Sequence, residues 1–209
     1  YVFKLNGTDG SQIWRTQTPV FSSFGFHEVC SVAFDINNDV FVATRFFTNR
    51  TISGGSTNLS FAFNTFQNIA IIKLNGLTGQ HIWNSGKPAF GRMSPFAITY
   101  ADMATDSVGN VYLTYLGETN ITQTASSAQH IACIKVNGTT GSLIWSRQVV
   151  NVGTDYSPRI AITSTDDVVI SCLVNTAEPG GSIGNTNSQL TAFKLSGSTG
   201  ATIFTIQTP

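Results

Sequence analysis

Apolar and polar residues alternate in short runs along the whole chain, and the runs are strand-sized. Val40–Phe47 (VFVATRFF), Val111–Leu116 (VYLTYL) and Val168–Val174 (VVISCLV) are rich in β-branched and aromatic residues. Each is preceded by turn residues: Asn37-Asn38-Asp39, Val108-Gly109-Asn110 and Thr165-Asp166-Asp167. No segment keeps an i, i+3, i+4 apolar pattern over three turns, so the chain is expected to be nearly free of helix. Several runs, such as IAIIKL at 69–74, are apolar at both parities. A sheet with one wet face would alternate strictly, so these strands are expected to be covered on both faces.

One cassette organises the pattern: an apolar strand ending in Lys, a glycine turn, Thr-Gly or Asp-Gly, and a second strand carrying Trp. Its clearest copy is Ile69–Asn84 (IAIIKLNGLTGQHIWN), and it recurs at Val2–Trp14, Ile131–Trp145 and Leu190–Phe204. The lysines Lys4, Lys73, Lys135 and Lys194 are separated by 69, 62 and 59 residues. A self-similar period of about 60 residues marks a repeat architecture. Between cassettes stands a second hairpin, at 29–47, 101–116 and 158–174. Naming the strands of a unit A to D, the chain reads C-D, then A-B-C-D three times.

Four strands per unit is the blade of a β-propeller. The expected fold is all-β, with β-propeller-type four-stranded antiparallel blades in about three and a half repeats. The expected organisation is a single repeat domain over 1–209, with a half blade and loop at 1–28 and blades at 29–86, 87–150 and 151–209. A loop is expected at 86–99, and polar insertions separate strands B and C at 48–67, 117–128 and 175–188. The aromatics Phe61, Phe63 and Phe66 in the first insertion are expected to fold over a blade edge.

The first hairpins (AFDINNDVFVAT, ATDSVGNVYLTYLGE) and the cassettes (IACIKVNGTTGSLIW) resemble the bacterial seven-bladed β-propeller repeat family. The Thr-Gly-x-x-x-Trp part also resembles the repeats of quinoprotein (pyrroloquinoline quinone) propellers. That likeness implies that the glycines and Trp14, Trp83 and Trp145 dock neighbouring blades, with Phe204 in the same place in the last unit. The third unit departs from the pattern, with the counterpart of Asp106 near Ser164 and Trp replaced by Phe204. The resemblance is specific for a blade and implies no particular activity.

Composition narrows the function classes. Lys+Arg and Asp+Glu are 11 each, for a formal net charge of zero, and only 11% of residues are charged. No basic footprint for nucleic acid is present, and no apolar run is long enough to span a membrane. The chain opens on Tyr1 with no signal peptide, and is read as a processed chain or a segment of a longer one. The three cysteines, Cys30, Cys133 and Cys172, lie in apolar runs and are expected to be buried small hydrophobes.

Candidate chemistry is sparse. His27–Cys30 and His130–Cys133 are each three apart, which on a strand places the two side chains on opposite faces, so no zinc site is expected. The oxygen-rich turn Asp35–Asp39 has the residue types of a calcium loop, but ordinary Asx-turn chemistry explains it. No nucleophile, metalloprotease or phosphate-loop motif occurs. No catalytic residue, metal or cofactor is therefore assigned. His27, Arg92, Asp155 and Arg159, in the loops from strand D to strand A, would lie near one mouth of a propeller channel. Asn-x-Ser/Thr sequons at Asn6, Asn49, Asn58, Asn120 and Asn137 are glycosylation candidates, expected to be exposed.

The chain begins and ends on the same strand pair: YVFKLNGTDGSQIWRTQTP against TAFKLSGSTGATIFTIQTP. Closed propellers need roughly four to eight blades, and neither end shows the polar cap of a finished repeat array. The expected function is a non-enzymatic extracellular or cell-surface scaffold that associates with itself, or with the rest of a longer repeat chain, as far as a fibre or filament. A carbohydrate- or other ligand-binding propeller is the second reading, and a quinoprotein-like propeller enzyme the third.

Overall fold

The computed structural model describes residues 1–16, 28–47, 51–52, 59–60, 67–84, 92–93, 101–119, 125–152, 157–175 and 188–207. Among them there are strands and turns and no helix. The half blade is β1 (Val2–Leu5) paired with β2 (Gln12–Thr16). Blade 1 is β3 (Glu28–Phe34), β4 (Val40–Phe47), β7 (Gln67–Leu74) and β8 (His81–Asn84). Between them, β5 (Thr51–Ile52) and β6 (Leu59–Ser60) form a short hairpin in the first insertion. After a two-residue strand β9 (Arg92–Met93), blade 2 follows as β10 (Ala101–Thr105), β11 (Val111–Thr119), β12 (Ala125–Val136) and β13 (Leu143–Val152). Blade 3 is β14 (Arg159–Ile162), β15 (Val168–Asn175), β16 (Ser188–Leu195) and β17 (Thr202–Gln207). In each full blade the A, B, C and D strands are neighbours in order and antiparallel.

The expected fold class is therefore present: four-stranded antiparallel blades, three of them complete and one half. The blades stack through their faces, which explains strands that are apolar at both parities. Toward blade 1, blade 2 turns Val111, Leu113, Tyr115, Ala132 and Ile134 into one core cluster. Toward blade 3 the alternate residues Tyr112, Leu116, Ile131 and Cys133 enter another with Val168, Ile170, Cys172 and Phe193. Strand β10 touches β3 on one side and β14 on the other, so the A strands stand side by side along the inner line of the array.

Two details differ from the sequence reading, the strand at 92–93 and the burial of two sequon asparagines, and a third is sharpened. The segment 86–99, expected to be a loop, contains β9, which pairs with both β7 and β11 and joins blades 1 and 2 into one nine-stranded sheet. The counterpart of Asp106, placed near Ser164 from the sequence, is its neighbour Thr163. Asp35, Asp106 and Thr163 make the same amide bond to the carbonyl four residues on, Asp39, Asn110 and Asp167. Asn6 and Asn137 are half-buried, not exposed. The reason is local: Asn137 Oδ1 accepts the amides of Thr139 and Thr140, and Asn6 Oδ1 that of Thr8. Asn49, Asn58, Asn120, Phe61, Phe63, Phe66, His27 and Asp155 lie outside the described residues.

Candidate functional site

The lysine and aromatic of each cassette are ten residues apart in every copy. A bulge immediately after each lysine shifts the C–D register by one residue. It sets Lys4 opposite Trp14, Lys73 opposite Trp83, Lys135 opposite Trp145 and Lys194 opposite Phe204, on the face that looks to the next blade. The side chains then reach across. Trp14 Nε1 donates to the carbonyl of Gly76, Trp83 Nε1 to that of Gly138 and Trp145 Nε1 to that of Gly197, each at 3.1 Å. Lys4, Lys73 and Lys135 donate to the same three carbonyls at 2.7, 3.0 and 2.9 Å. One glycine carbonyl thus takes an ammonium and an indole N–H from the preceding blade.

Two glycines of the receiving turn are required for this approach. Gly79, Gly141 and Gly200 have φ near +70°, and a Cβ on them would stand 2.8–2.9 Å from the rings of Trp14, Trp83 and Trp145. Gly76, Gly138 and Gly197 press on the A–B turn of their own blade, where a Cβ would run into the carbonyl oxygens of Asn38, Gly109 and Asp166.

The lysine has a second partner in its own blade. Lys73 Nζ lies 2.8 Å from Asp35 and 3.4 Å from Asp39, Lys135 3.0 Å from Asp106, and Lys194 3.0 Å from Asp167. The carboxylate comes from the first turn position, the fifth, or both. The oxygen-rich turn Asp35–Asp39 is thereby accounted for as the counter-ion of Lys73. Burial alone would raise the Asp106 carboxyl, but hydrogen bonds from Asn110 and Lys135 outweigh it and hold it below the usual range. Asp167 is likewise lowered, chiefly by its bond to Lys194. Strand B adds an aromatic wall in two blades: the Phe41 and Trp83 ring centroids are 5.7 Å apart, those of Tyr112 and Trp145 5.8 Å. Lys73 and Lys135 stand over the Phe41 and Tyr112 rings at 5.1 and 4.9 Å. The sequence reading missed these carboxylates as partners; the constant spacing from lysine to aromatic was the available signal.

Among the described residues, both outer faces of the array are exposed. On blade 3, Leu173 and Phe204 hold the places that Leu116 and Trp145 hold on blade 2. Leu116 and Trp145 are 1% and 9% exposed, Leu173 and Phe204 43% each, and neighbouring Ile206 is 60% exposed. Phe204, grouped by sequence with the packing tryptophans, therefore packs against no further blade. At the other end, Gly7 and Gly10 correspond to Gly138 and Gly141, and nothing lies within 4 Å of a Cβ on either. Tyr1, Phe3, Leu5 and Ile13 are exposed beside them.

The remaining candidates do not converge. Cys133 and Cys172 are buried free thiols, with burial raising both, Cys172 to about 11. Arg159 is exposed on β14. Among the described residues no group of three His, Cys, Asp or Glu is placed to hold a metal. No described helix is long and apolar enough to cross a membrane.

No protein-family model matches the chain, and no curated protein matches it. Among solved structures it is similar to BamB from Moraxella catarrhalis, at 10% identity and a TM-score of 0.30, over 85% of this chain and 61% of that one. It is also similar to the C-terminal domain of YpeB from Bacillus megaterium, at 9% identity and a TM-score of 0.16, over 81% of this chain and 84% of that one. At such scores neither likeness bears on activity, and the assignment to propeller-like blades rests on the strand order and the repeated staple.

Proposed function

We propose that this protein is a non-enzymatic structural repeat protein of the bacterial seven-bladed propeller-repeat type, acting outside the cell and associating through its open blade faces into a filament. The observation that supports this most directly is the complementarity of the two ends. Blade 3 presents Lys194 and Phe204, the donor half of the staple. The half blade presents Gly7 and Gly10, the acceptor half, with nothing against them. A second copy, or the rest of a longer repeat chain, would continue the internal interface. A heterologous head-to-tail contact of this kind forms an open filament when its rotation does not close and a ring when it does. Use of the sequons Asn6, Asn49, Asn58, Asn120 and Asn137 belongs to the same reading; Asn6 and Asn137 stand half-buried at the head of C–D turns that expose Thr8 and Asp9, and Thr139 and Thr140.

Electron microscopy and sedimentation of the native chain test this. Filaments or rings are expected, with Phe204→Glu and Ile206→Lys, both at exposed positions, reverting the material to monomer. A wild-type chain that stays monomeric at high concentration would sink the proposal. Intact-mass measurement of secreted material decides the glycans: added hexose mass is expected, falling with Asn6→Gln and Asn137→Gln and disappearing when Asn49, Asn58 and Asn120 are replaced by Gln as well.

A further inference from the structure

Blade 1 differs from blades 2 and 3 in the carboxylates around its lysine. Lys135 has one from the first turn position and Lys194 one from the fifth. Lys73 has both, Asp35 at 2.8 Å and Asp39 at 3.4 Å. The three side chains are enclosed: those of Lys73 and Asp35 are 8% and 3% exposed, that of Asp39 17%. The Phe41 ring closes one side, its centroid 5.1 Å from Nζ. Each group is also fixed in direction. Asp35 Oδ1 accepts the amides of Asn37 and Asp39 at 2.8 and 2.9 Å, which leaves Oδ2 for the ammonium. Asp39 Oδ1 accepts the amide of Gly76 at 2.9 Å, which leaves its Oδ2 for the same ammonium. The third partner of Nζ is the Gly138 carbonyl at 3.0 Å.

From this geometry we infer that Lys73 and Asp35 condense into an isopeptide bond, with Asp39 as the proton carrier. An ammonium and a carboxylate contain all the atoms of an amide and one water, so no further reactant is needed. The proton shared with Asp35 passes to its Oδ2, which leaves the electron pair of the amine aimed at Cγ. Nζ bonds to Cγ, and Oδ1 takes up the negative charge, where the amides of Asn37 and Asp39 hold it as an oxyanion hole does. Asp39 removes a second proton from the nitrogen and delivers it to Oδ2 of Asp35. The Cγ–Oδ2 bond breaks, that oxygen departs as water, and Asp39 is again a carboxylate. The last N–H keeps its bond to the Gly138 carbonyl. Held contact replaces a chance encounter of the two groups, and the product removes two charges whose burial is costly. Blade 2 has the lysine and the first-position carboxylate, but Asn110 stands at the fifth place, and its amide donates to Asp106 Oδ2 and carries no proton. Blade 3 has Thr163 at the first place, and its ion pair is more open, the two side chains 24% and 23% exposed. The bond is therefore assigned to blade 1.

Mass spectrometry of the full chain, unfolded beforehand, reads the bond directly. Wild type should be lighter than its sequence mass by about 18 Da, one water. Trypsin should leave the chain uncut after Lys73 and release the peptide 16–45, which holds Asp35, joined to the one that holds Lys73. Asp39→Asn keeps an oxygen for the Gly76 amide but carries no proton. It should show the full sequence mass and ordinary cleavage after Lys73, with a circular dichroism spectrum of wild-type shape. Lys73→Arg should likewise show its full sequence mass. A wild-type chain of full sequence mass, open to trypsin after Lys73, would overturn the inference. So would a joined peptide that persists in Asp39→Asn, since the proton carrier would then have no part in the reaction.

Discussion

Trp83 donates its indole N–H to the carbonyl of Gly138, 55 residues further along the chain and one blade away, at 3.1 Å. The bond joins a strand D to the next C–D turn, and its equivalents at Trp14 and Trp145 make it the unit connector of the array. Two parts of the interaction can be separated. Trp83→Phe removes the donor but leaves most of the ring, and Lys73 still bonds Gly138. It should cost about 1 kcal/mol, the net worth of one hydrogen bond. Trp83→Ala also empties the space against Phe41 and Gly141 and should cost about 3–5 kcal/mol. Urea unfolding of the two variants checks the ratio.

The same contact makes Gly141 a sharp position. Its φ is +73°, and a Cβ there would stand 2.8 Å from Trp83 Cε3. Gly141→Ala should lose about 1–3 kcal/mol from backbone strain, before any displacement of the indole. Gly10→Ala carries the same backbone strain, with φ +73°, but meets no ring. The difference between the two urea midpoints therefore isolates the indole contact. Equal losses would show that the glycine serves the turn alone.

The lysine counter-ion moves between two turn positions, and this makes a rescue prediction. Asp106 and Lys135 are a largely buried pair at 3.0 Å, with Asn110 bonded to the same carboxylate. Asp106→Asn leaves the ammonium without its carboxylate and should destabilise by about 3 kcal/mol. Adding Asn110→Asp places a carboxylate where Asp167 stands in blade 3, within reach of the lysine. The double variant should recover at least half of the loss in a urea double-mutant cycle. Purely additive losses would show that the fifth position cannot serve in blade 2.

The blades are legible in the chain because their signals are local. Val-rich runs, Asn-Gly turns and the recurring Lys and Trp each report a few neighbouring residues, and together they give four strands per unit. The staple is less legible, since a hydrogen bond between Trp83 and Gly138 depends on how two hairpins meet and not on either sequence. The aspartates read as turn residues because the turn does use them: Asp35 Oδ1 accepts the amides of Asn37 and Asp39. Its other oxygen, which takes Lys73, is a long-range fact. Strand β9 escapes the sequence for a simpler reason, since Arg92–Met93 is too short to show any period.

Histidine supplies a pH test of burial. His81 stands on β8, and among the described residues neither of its ring nitrogens has a hydrogen-bond partner, nor does the Asn84 side chain three residues on. Burial disfavours the imidazolium and lowers the His81 pKa from 6.5. The folded state therefore binds its proton less readily than the unfolded chain. The stability this histidine contributes is fully present above the unfolded value of 6.5 and is lost as the pH falls through that value toward the folded one. The urea midpoint should fall between about pH 7.5 and about pH 5.5, a range that brackets the ordinary histidine pKa. His81→Leu removes the titration and the two unpartnered nitrogens, so its midpoint should fall less and should lie above wild type at the lower pH. The Asp106 pair acts in a different window, because a lowered carboxyl loses its contribution only below 3.8. A His81→Leu variant with the full wild-type pH slope would assign that slope to other groups and leave His81 neutral and silent.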